Sequence, residues 1–297
     1  MSAEAGILFD APGPRARRKI LLANLLALAG VLVVAAVVLL QLNRQGQLAP
    51  QQWTNALNAN AWANYYLPGL KFTLQSSGIA VFTAMIFGLV FGFLRLAPFA
   101  IVRGASSVVV EFFRAVPVLV MMFFLYFFLS RQVAPTGLIA SADSAYFAVI
   151  IGLTLYNGAV IAELIRSGVR SLPRGQREAA AALGMTSSQS LRIVEVPQAL
   201  TAMLPSLLSQ FVVILKDSAL GFLIAFYELL QYSRQLGAGY SNILQTLVVA
   251  ALIFIVINYV LTRVATWLAG MLSSRTGGAT APATSTTMVS AAGQGMR

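Results

Sequence analysis

Long uncharged apolar runs limit how this chain can fold more than any other feature. The first extends from Ile20 to Asn43, and similar runs follow as far as Val264. About 20 apolar residues in a helix cross the hydrocarbon core of a bilayer. A helix also hydrogen-bonds its backbone groups within the segment, as a lipid environment requires. The runs therefore predict an all-α integral membrane protein with about six transmembrane helices.

Composition agrees with a membrane protein and excludes most enzyme classes. Charged residues make up 10% of the 297 residues, against about 25% in soluble domains. The net charge of +11 reflects scarce acids rather than a basic patch, so we expect a lipid bilayer and no nucleic acid as partner. Because cysteine and histidine are absent, no catalytic or metal-binding residue is predicted. None of the lysines Lys19, Lys71 and Lys216 lies in a P-loop, so any ATP must bind another chain.

Five of the six predicted spans have clear limits. The third is interrupted by Pro117, and Glu163 and Arg166 close the fourth at the membrane surface. Gly88 and Gly92 in the second span form a small-residue face that permits close helix approach, although glycine is common in membrane helices. These five spans are predicted at residues 20–43, 72–94, 107–130, 144–162 and 243–264.

The fifth span in chain order is ambiguous because two charged residues interrupt it. Its apolar run meets Lys216 and Asp217 and then resumes before Glu228. Either one helix continues from about residue 203 to residue 226, or a helix ends near residue 215 and the second apolar piece is re-entrant.

Charged side chains within or beside the spans are candidates for a substrate pathway, because charge at membrane depth is costly and usually faces protein or water. Lys216 and Asp217 form the stronger candidate, with anchoring of a helix end at the outer interface as the alternative. Glu111 and Arg114 lie three residues apart on one helix face. They either pair with each other near the headgroups or face a pathway, as does the neighbouring Pro117.

The basic residues predict the orientation of the chain. With a cytoplasmic N-terminus and six spans, most of the 20 lysines and arginines fall on the cytoplasmic side. The positive-inside rule then places both termini in the cytoplasm.

One long polar stretch, Pro173–Pro197, interrupts the apolar runs. Its centre, EAAAALG, contains strong helix formers followed by Gly184, which predicts a short amphipathic helix with a left-handed glycine stop. The stretch resembles the EAA loop of ABC importer permeases, which reads E-A-A, three residues, G, nine residues, I, one residue, L-P. Glu178, Ala179, Ala180 and Gly184 match in place, with valines replacing the later Ile and Leu before Pro197.

The resemblance extends to the polar amino acid permeases of the histidine, glutamate and glutamine type. LPGLKFTLQSS, EFFRAVPVLVMMFFLYF, LPRGQREAAAALG, VPQAL and ILKDSALGFLI follow in family order. Departures from the family pattern are Ala115 in place of Gly, and Ser218 and Ala219 in place of Thr and Ser. The residues of these motifs are most similar to those of the glutamate permease subgroup.

The resemblance implies a type I importer permease fold with a cytoplasmic coupling helix. Implied partners are an ABC ATPase dimer, an extracytoplasmic amino acid binding protein, and a second permease subunit or a second copy of this chain. ATP and Mg would lie on the ATPase, so this chain binds no cofactor. An ion-coupled secondary transporter is the alternative, disfavoured because no repeat of the EAA stretch is found. The implied ATPase-coupling residues are Arg174, Gln176, Arg177, Glu178, Ala179, Ala180, Leu183, Gly184 and Pro197.

These expectations place the protein in the cell membrane as a multi-pass protein. They divide the chain into five parts. The permease core is expected at residues 66–272, with the coupling loop at residues 167–200. The other parts are a basic cytoplasmic N-terminus at 1–19, an additional transmembrane helix at 20–43, an extracytoplasmic loop at 44–65 and a disordered cytoplasmic tail at 273–297.

Overall fold

Helices account for nearly all of residues 13–276, the part of the chain that this computed structural model describes. No strand occurs within these residues. The predicted tail at 273–297 lies largely outside them, although the last helix extends to Thr276. The helices are α1 (Pro14–Arg44), α2 (Pro50–Leu57), α3 (Leu67–Leu94), α4 (Ala100–Ala115), α5 (Val118–Phe128), α6 (Ser144–Arg170), α7 (Arg174–Ala182), α8 (Val196–Asp217), α9 (Leu229–Tyr240) and α10 (Ile243–Thr276).

Six helical segments among the described residues are long and apolar enough to cross a bilayer. This confirms the predicted all-α class and the number of spans. Several segments join an α-helix to shorter helical turns at its ends. Their limits are Pro14–Arg44, Ala59–Leu94, Val118–Thr136, Ser141–Arg170, Ser187–Ile224 and Ile243–Met271.

The described chain divides into two compact units. The first comprises residues up to Pro68 together with Tyr232–Ala251. In this unit the start of α10 is tied to the segment after α1. The Gln245 side chain donates to the Gln47 carbonyl at 2.5 Å, and Asn242 donates to the Gln52 carbonyl at 2.9 Å.

The second unit, Gly69–Gln231 with the residues from Leu252 onward, contains the main apolar core. Helix α6 lies at its centre, with Leu153, Ile161 and Ile165 among its fully buried side chains. Near the middle of α6, Asn157 accepts a hydrogen bond from Gln210 of α8 at 2.6 Å.

Small residues allow α3 to approach α6 closely, as the spacing of Gly88 and Gly92 predicts. A Cβ atom at Gly88 would collide with Ile161, and one at Gly92 would lie 3.0 Å from the Ile165 side chain. These glycines therefore have a packing role in this contact.

The third predicted span is wrong as a single helix. Val116 is extended, and the chain forms two helices, α4 before it and α5 after Pro117. Proline has no N–H to donate, and its ring disfavours helical geometry in the residue before it. The membrane-crossing segment is Val118–Thr136, while α4 is an amphipathic helix with only Ser106 and Val110 buried.

The fourth span is longer than predicted, and the structure decides between the two alternatives for the fifth span. Helix α6 continues past Glu163 to Arg170. Helix α8 ends at Asp217 and is followed by a 3₁₀ segment, Ser218–Ile224, and by Ala225 in a left-handed conformation. The alternative of one helix from 203 to 226 is therefore wrong.

Candidate functional site

The polar stretch folds into a short helix with a glycine stop, as the sequence predicts. Helix α7 follows Pro173, and Gly184 has a φ of +78°. The N–H of Met185 donates to the carbonyl of Ala180 at 3.1 Å, and the N–H of Gly184 donates to that of Ala181 at 2.9 Å. This is the Schellman pattern, which satisfies carbonyls that a helix end would otherwise leave unpaired.

The next helical turn begins with a capping box that the sequence analysis did not identify. Gln189 accepts from the backbone N–H of Thr186 at 2.8 Å, and Thr186 Oγ1 accepts from that of Gln189 at 3.4 Å. Such reciprocal bonds satisfy two backbone donors at a helix start. The chain is therefore held on both sides of Gly184.

Two side-chain pairs connect α7 to the beginning of α8. Arg177 donates to the Glu195 carboxylate at 2.6 and 3.3 Å, and Ser190 donates to the same carboxylate at 2.9 Å. Gln198 donates to Gln176 at 3.0 Å. The hydrogen bond and charge of Glu195 raise the pKa of Arg177 above its usual value. Glu195 was not among the predicted site residues.

The outer surface of α7 is open to a partner. Arg174, Glu178 and Ala179 are exposed, and Leu183 is 81% exposed, whereas Ala180 is buried. Beside the helix lies a cavity of about 360 Å³, whose lining includes Arg170 and Arg174.

Glu111 and Arg114 belong to an ion-pair network at the end of α3. Arg95, with a side chain only 4% exposed, contacts Glu163 at 2.6 Å and Glu111 at 2.9 Å. Arg166 contacts Glu163 at 2.5 Å. Arg114 reaches Glu111 at 3.4 Å and Glu163 at 3.5 Å. The structure confirms the local Glu111–Arg114 pair, but the centre of the network is Arg95, which directly follows α3 and is not among the predicted site residues.

The ion-pair network and the Lys216–Asp217 pair lie on opposite sides of the contact between Asn157 of α6 and Gln210 of α8. Because the two helices are antiparallel, Glu163 of α6 lies on the side of this contact that is nearer to α7. Lys216 lies beyond this contact, in the last turn of α8. The structure therefore does not bring the two sets of pathway candidates into one site.

Lys216 faces open space beside α10. Its side chain is exposed and lines two cavities, of about 440 and 400 Å³, with residues of α10 that include Asn258 and Thr262. Among residues 13–276, Lys216 makes no ion pair within 4.0 Å, whereas Asp217 beside it is half-buried. An unpaired ammonium group at a cavity can bind an anionic group.

Glu228 is a buried carboxylate that the sequence analysis did not select. It precedes α9 and accepts from the backbone N–H groups of Leu230 and Gln231, both at 2.8 Å. Glu228 is fully buried. Burial raises the pKa of Glu228 to about 7 despite the two hydrogen bonds, which lower it.

Substitution of Gly184 with alanine should destabilise the turn by about 1–2 kcal/mol, because only glycine adopts a left-handed conformation without strain. An added Cβ would meet no atom within 4 Å, so the cost is conformational rather than steric. The thermal unfolding midpoint of the purified chain measures the effect. Gly175→Ala is the matched control, since Gly175 lies inside α7 with the same free space. Alanine there should raise stability, by less than about 1 kcal/mol. A lower midpoint for both variants would contradict the conformational explanation.

Comparison with known proteins places these features in a family. The family described as "binding-protein-dependent transport system inner membrane component" matches residues 84–273. The glutamate transport system permease protein GluD of Corynebacterium glutamicum is 45% identical, over 75% of this chain and 81% of its own length. The probable glutamine ABC transporter permease protein GlnP of Bacillus subtilis is 34% identical, over 66% of this chain and 88% of its own.

A solved structure agrees with these relatives. The crystal structure described as an amino acid ABC transporter with histidines superposes with a TM-score of 0.61 at 27% identity, covering 71% of this chain and 93% of that one. The chain therefore belongs to the family of binding-protein-dependent transport system inner membrane components, and it is a multi-pass membrane permease of the ABC importer type.

Proposed function

We propose that this permease forms the pathway through which an ATP-driven importer moves a polar amino acid, glutamate or a related acidic or amide amino acid. The observation that carries the proposal is α7, an exposed helix with a free apolar side chain at Leu183. It lies in a chain whose relatives are named as glutamate and glutamine permeases. Helix α7 docks into an ATPase subunit and transmits its movement to the spans.

The residues proposed to couple to the ATPase are those of the polar stretch. Leu183 and the exposed face of α7 provide the contact, and Gly184 sets the turn that follows. Arg174 and Glu178 are exposed and can form charge-assisted hydrogen bonds with the partner. The complete set is Arg174, Gln176, Arg177, Glu178, Ala179, Ala180, Leu183, Gly184 and Pro197.

The proposed assembly contains more than this chain. An ABC ATPase dimer binds ATP and Mg, an external binding protein delivers the amino acid, and a second permease subunit or second copy of this chain completes the pathway. Both termini and the coupling loop at 167–200 face the cytoplasm, in agreement with the distribution of basic residues. The proposed permease core comprises residues 66–272, and residues 20–43 form an additional membrane helix.

Copurification followed by reconstitution tests the function. A tagged chain should bring down an ATPase subunit, and vesicles containing the complex should take up amino acid only with ATP and binding protein. Competition by a panel of amino acids identifies the substrate. Uptake driven by an ion gradient in the absence of ATP would instead support a secondary transporter.

Lys216→Met tests the proposed substrate contact. Lys216, with Asp217 beside it, is proposed to receive the substrate carboxylate as it passes the end of α8. Hydrogen bonds to charged groups contribute about 1.5–3 kcal/mol, so the initial rate of uptake should fall about tenfold or more. The measurement is radiolabelled uptake by reconstituted complex at equal ATPase content.

The control for Lys216 is Lys71→Met, which removes an exposed lysine from α3. It should leave uptake unchanged. Equal uptake by the Lys216→Met and wild-type complexes would remove Lys216 from the pathway and favour its role as an anchor at the membrane interface.

A further inference from the structure

The buried carboxylate of Glu195 links the coupling helix to a membrane-spanning helix. Its side chain is 4% exposed, whereas the Arg177 side chain that binds it is 66% exposed. Glu195 closes the π-helical turn Ser190–Glu195, which leads directly into α8. The ion pair thus connects a residue in the first turns of α7 with the residue immediately before α8.

Both carboxylate oxygens of Glu195 accept hydrogen bonds. Both oxygens accept from Arg177, and one also accepts from Ser190. A buried carboxylate without such donors is strongly destabilising, so the carboxylate and guanidinium groups hold each other in place. The Gln176–Gln198 bond adds a second link between the same two helices. Together these contacts fix both the distance and the rotation of α7 relative to α8.

Helix α8 extends from this link to the proposed substrate contact. It has 22 residues and ends with Lys216 and Asp217. At about 1.5 Å per residue, it spans roughly 33 Å. One helix, with Pro205 inside it, thus connects the base of α8 to Lys216, and it packs along α6 at the Asn157–Gln210 contact.

We infer that Glu195 is a positioning residue, which holds α7 on the base of α8 so that movement of the coupling helix displaces α8 and the Lys216–Asp217 end. The inference rests on the proposed function. It distinguishes Glu195 from the exposed residues of α7, which contact the partner. Glu195 is buried against Arg177 and Ser190 of its own chain and acts by converting docking into movement of a span.

The test compares the amount of amino acid imported per ATP hydrolysed in the reconstituted complete transporter. Glu195→Gln keeps the side-chain volume and a hydrogen-bond acceptor but removes the charge. We expect its complex to copurify with the ATPase as the wild type does, and the imported amount per ATP to fall about tenfold. A purely structural role would lower assembly and thermal stability while leaving this ratio unchanged.

Two further variants keep the inference testable if Glu195→Gln assembles poorly. Arg177→Gln breaks the same link from its exposed side and should lower the ratio similarly. The double variant R177Q/E195Q restores a neutral amide pair of the kind present at Gln176–Gln198, so its ratio should exceed that of either single variant. Independent contributions of the two residues would instead give a double variant worse than both, and would overturn the inference.

Arg192→Gln is the matched control, because Arg192 is exposed in the same turn and forms no ion pair among the described residues. It should keep the wild-type ratio. A normal ratio for Glu195→Gln also overturns the inference, while the proposed function stands if the wild type requires ATP. If the wild type neither binds an ATPase nor requires ATP, the proposed function itself fails.

Discussion

Replacing Arg95 with methionine should lower the free energy of unfolding by about 3 kcal/mol, the largest loss expected for any single side chain in the ion-pair network. Arg95 is buried and binds two carboxylates, Glu111 and Glu163. Removing one partner of a buried ion pair typically costs about 3–5 kcal/mol, because the remaining charge is left uncompensated. The loss should lie near the lower limit, since Arg166 and Arg114 still contact Glu163.

A double-mutant cycle with Glu163→Gln measures the pair itself. Thermal and denaturant unfolding in detergent should show that R95M/E163Q is less destabilised than the sum of the two single variants, because the double variant removes both members of the pair and neither is left without the other. Arg103→Met is the control: Arg103 is exposed, and within residues 13–276 its side chain donates to the backbone carbonyls of Ala97 and Pro98 and forms no ion pair. Its loss should stay within about 1 kcal/mol. Equal losses for Arg95 and Arg103 would mean that burial of Arg95 contributes nothing.

The ion-pair network combines a contact that the sequence predicts with contacts that it does not predict. The spacing of Glu111 and Arg114 predicts their contact, because residues three apart in a helix share a face. Arg95 and Glu163 are separated by 68 positions, and only the packing of α3 against α6 brings them together. Their pairing also explains why α6 does not end at Glu163 as predicted. A charge that is neutralised inside the bundle need not mark a membrane surface.

The number of spans could be predicted because the length of an apolar run directly reports the thickness of the bilayer. Helix α9 gives no such signal, because its 12 residues form a short polar segment. Pro117 indicates an interruption within one span, but the sequence does not show that a new helix, α5, starts after it.

The coupling segment follows the same division between local and distant contacts. The helix and its glycine stop are local, so residue preferences and one left-handed glycine predict them. The Arg177–Glu195 pair crosses 18 positions and depends on how the chain returns after Thr186. The sequence therefore predicts the exposed helix but not the contact that joins it to α8.

Relative to the wild type, Glu228→Gln should be about 3 kcal/mol more stable at pH 8 than at pH 4.5, because only the wild type must ionise a buried carboxyl group as the pH rises. Burial raises the pKa of Glu228 from 4.5 to about 7. A carboxyl group with a raised pKa binds its proton more tightly in the folded state than in the unfolded chain. Its contribution to stability is therefore complete below pH 4.5 and is lost as the pH rises through about 7.

The Glu228 prediction is tested by the difference in unfolding free energy between variant and wild type at several pH values, because other carboxylates titrate equally in both proteins. Glutamine cannot ionise, and its single carbonyl oxygen can replace only one of the two carboxylate oxygens that accept from the N–H groups of Leu230 and Gln231, a loss that is the same at every pH. Thr73→Val is the control: it removes the hydroxyl that accepts from the Leu229 N–H at 3.0 Å, and should destabilise by about 1–2 kcal/mol at every pH. If the difference in unfolding free energy between Glu228→Gln and the wild type did not change with pH, as expected for Thr73→Val, Glu228 would ionise in the folded protein as readily as in the unfolded chain. Such a result would place water or a cation beside the carboxylate, since two backbone N–H groups at a helix start do not compensate for full burial of the charge.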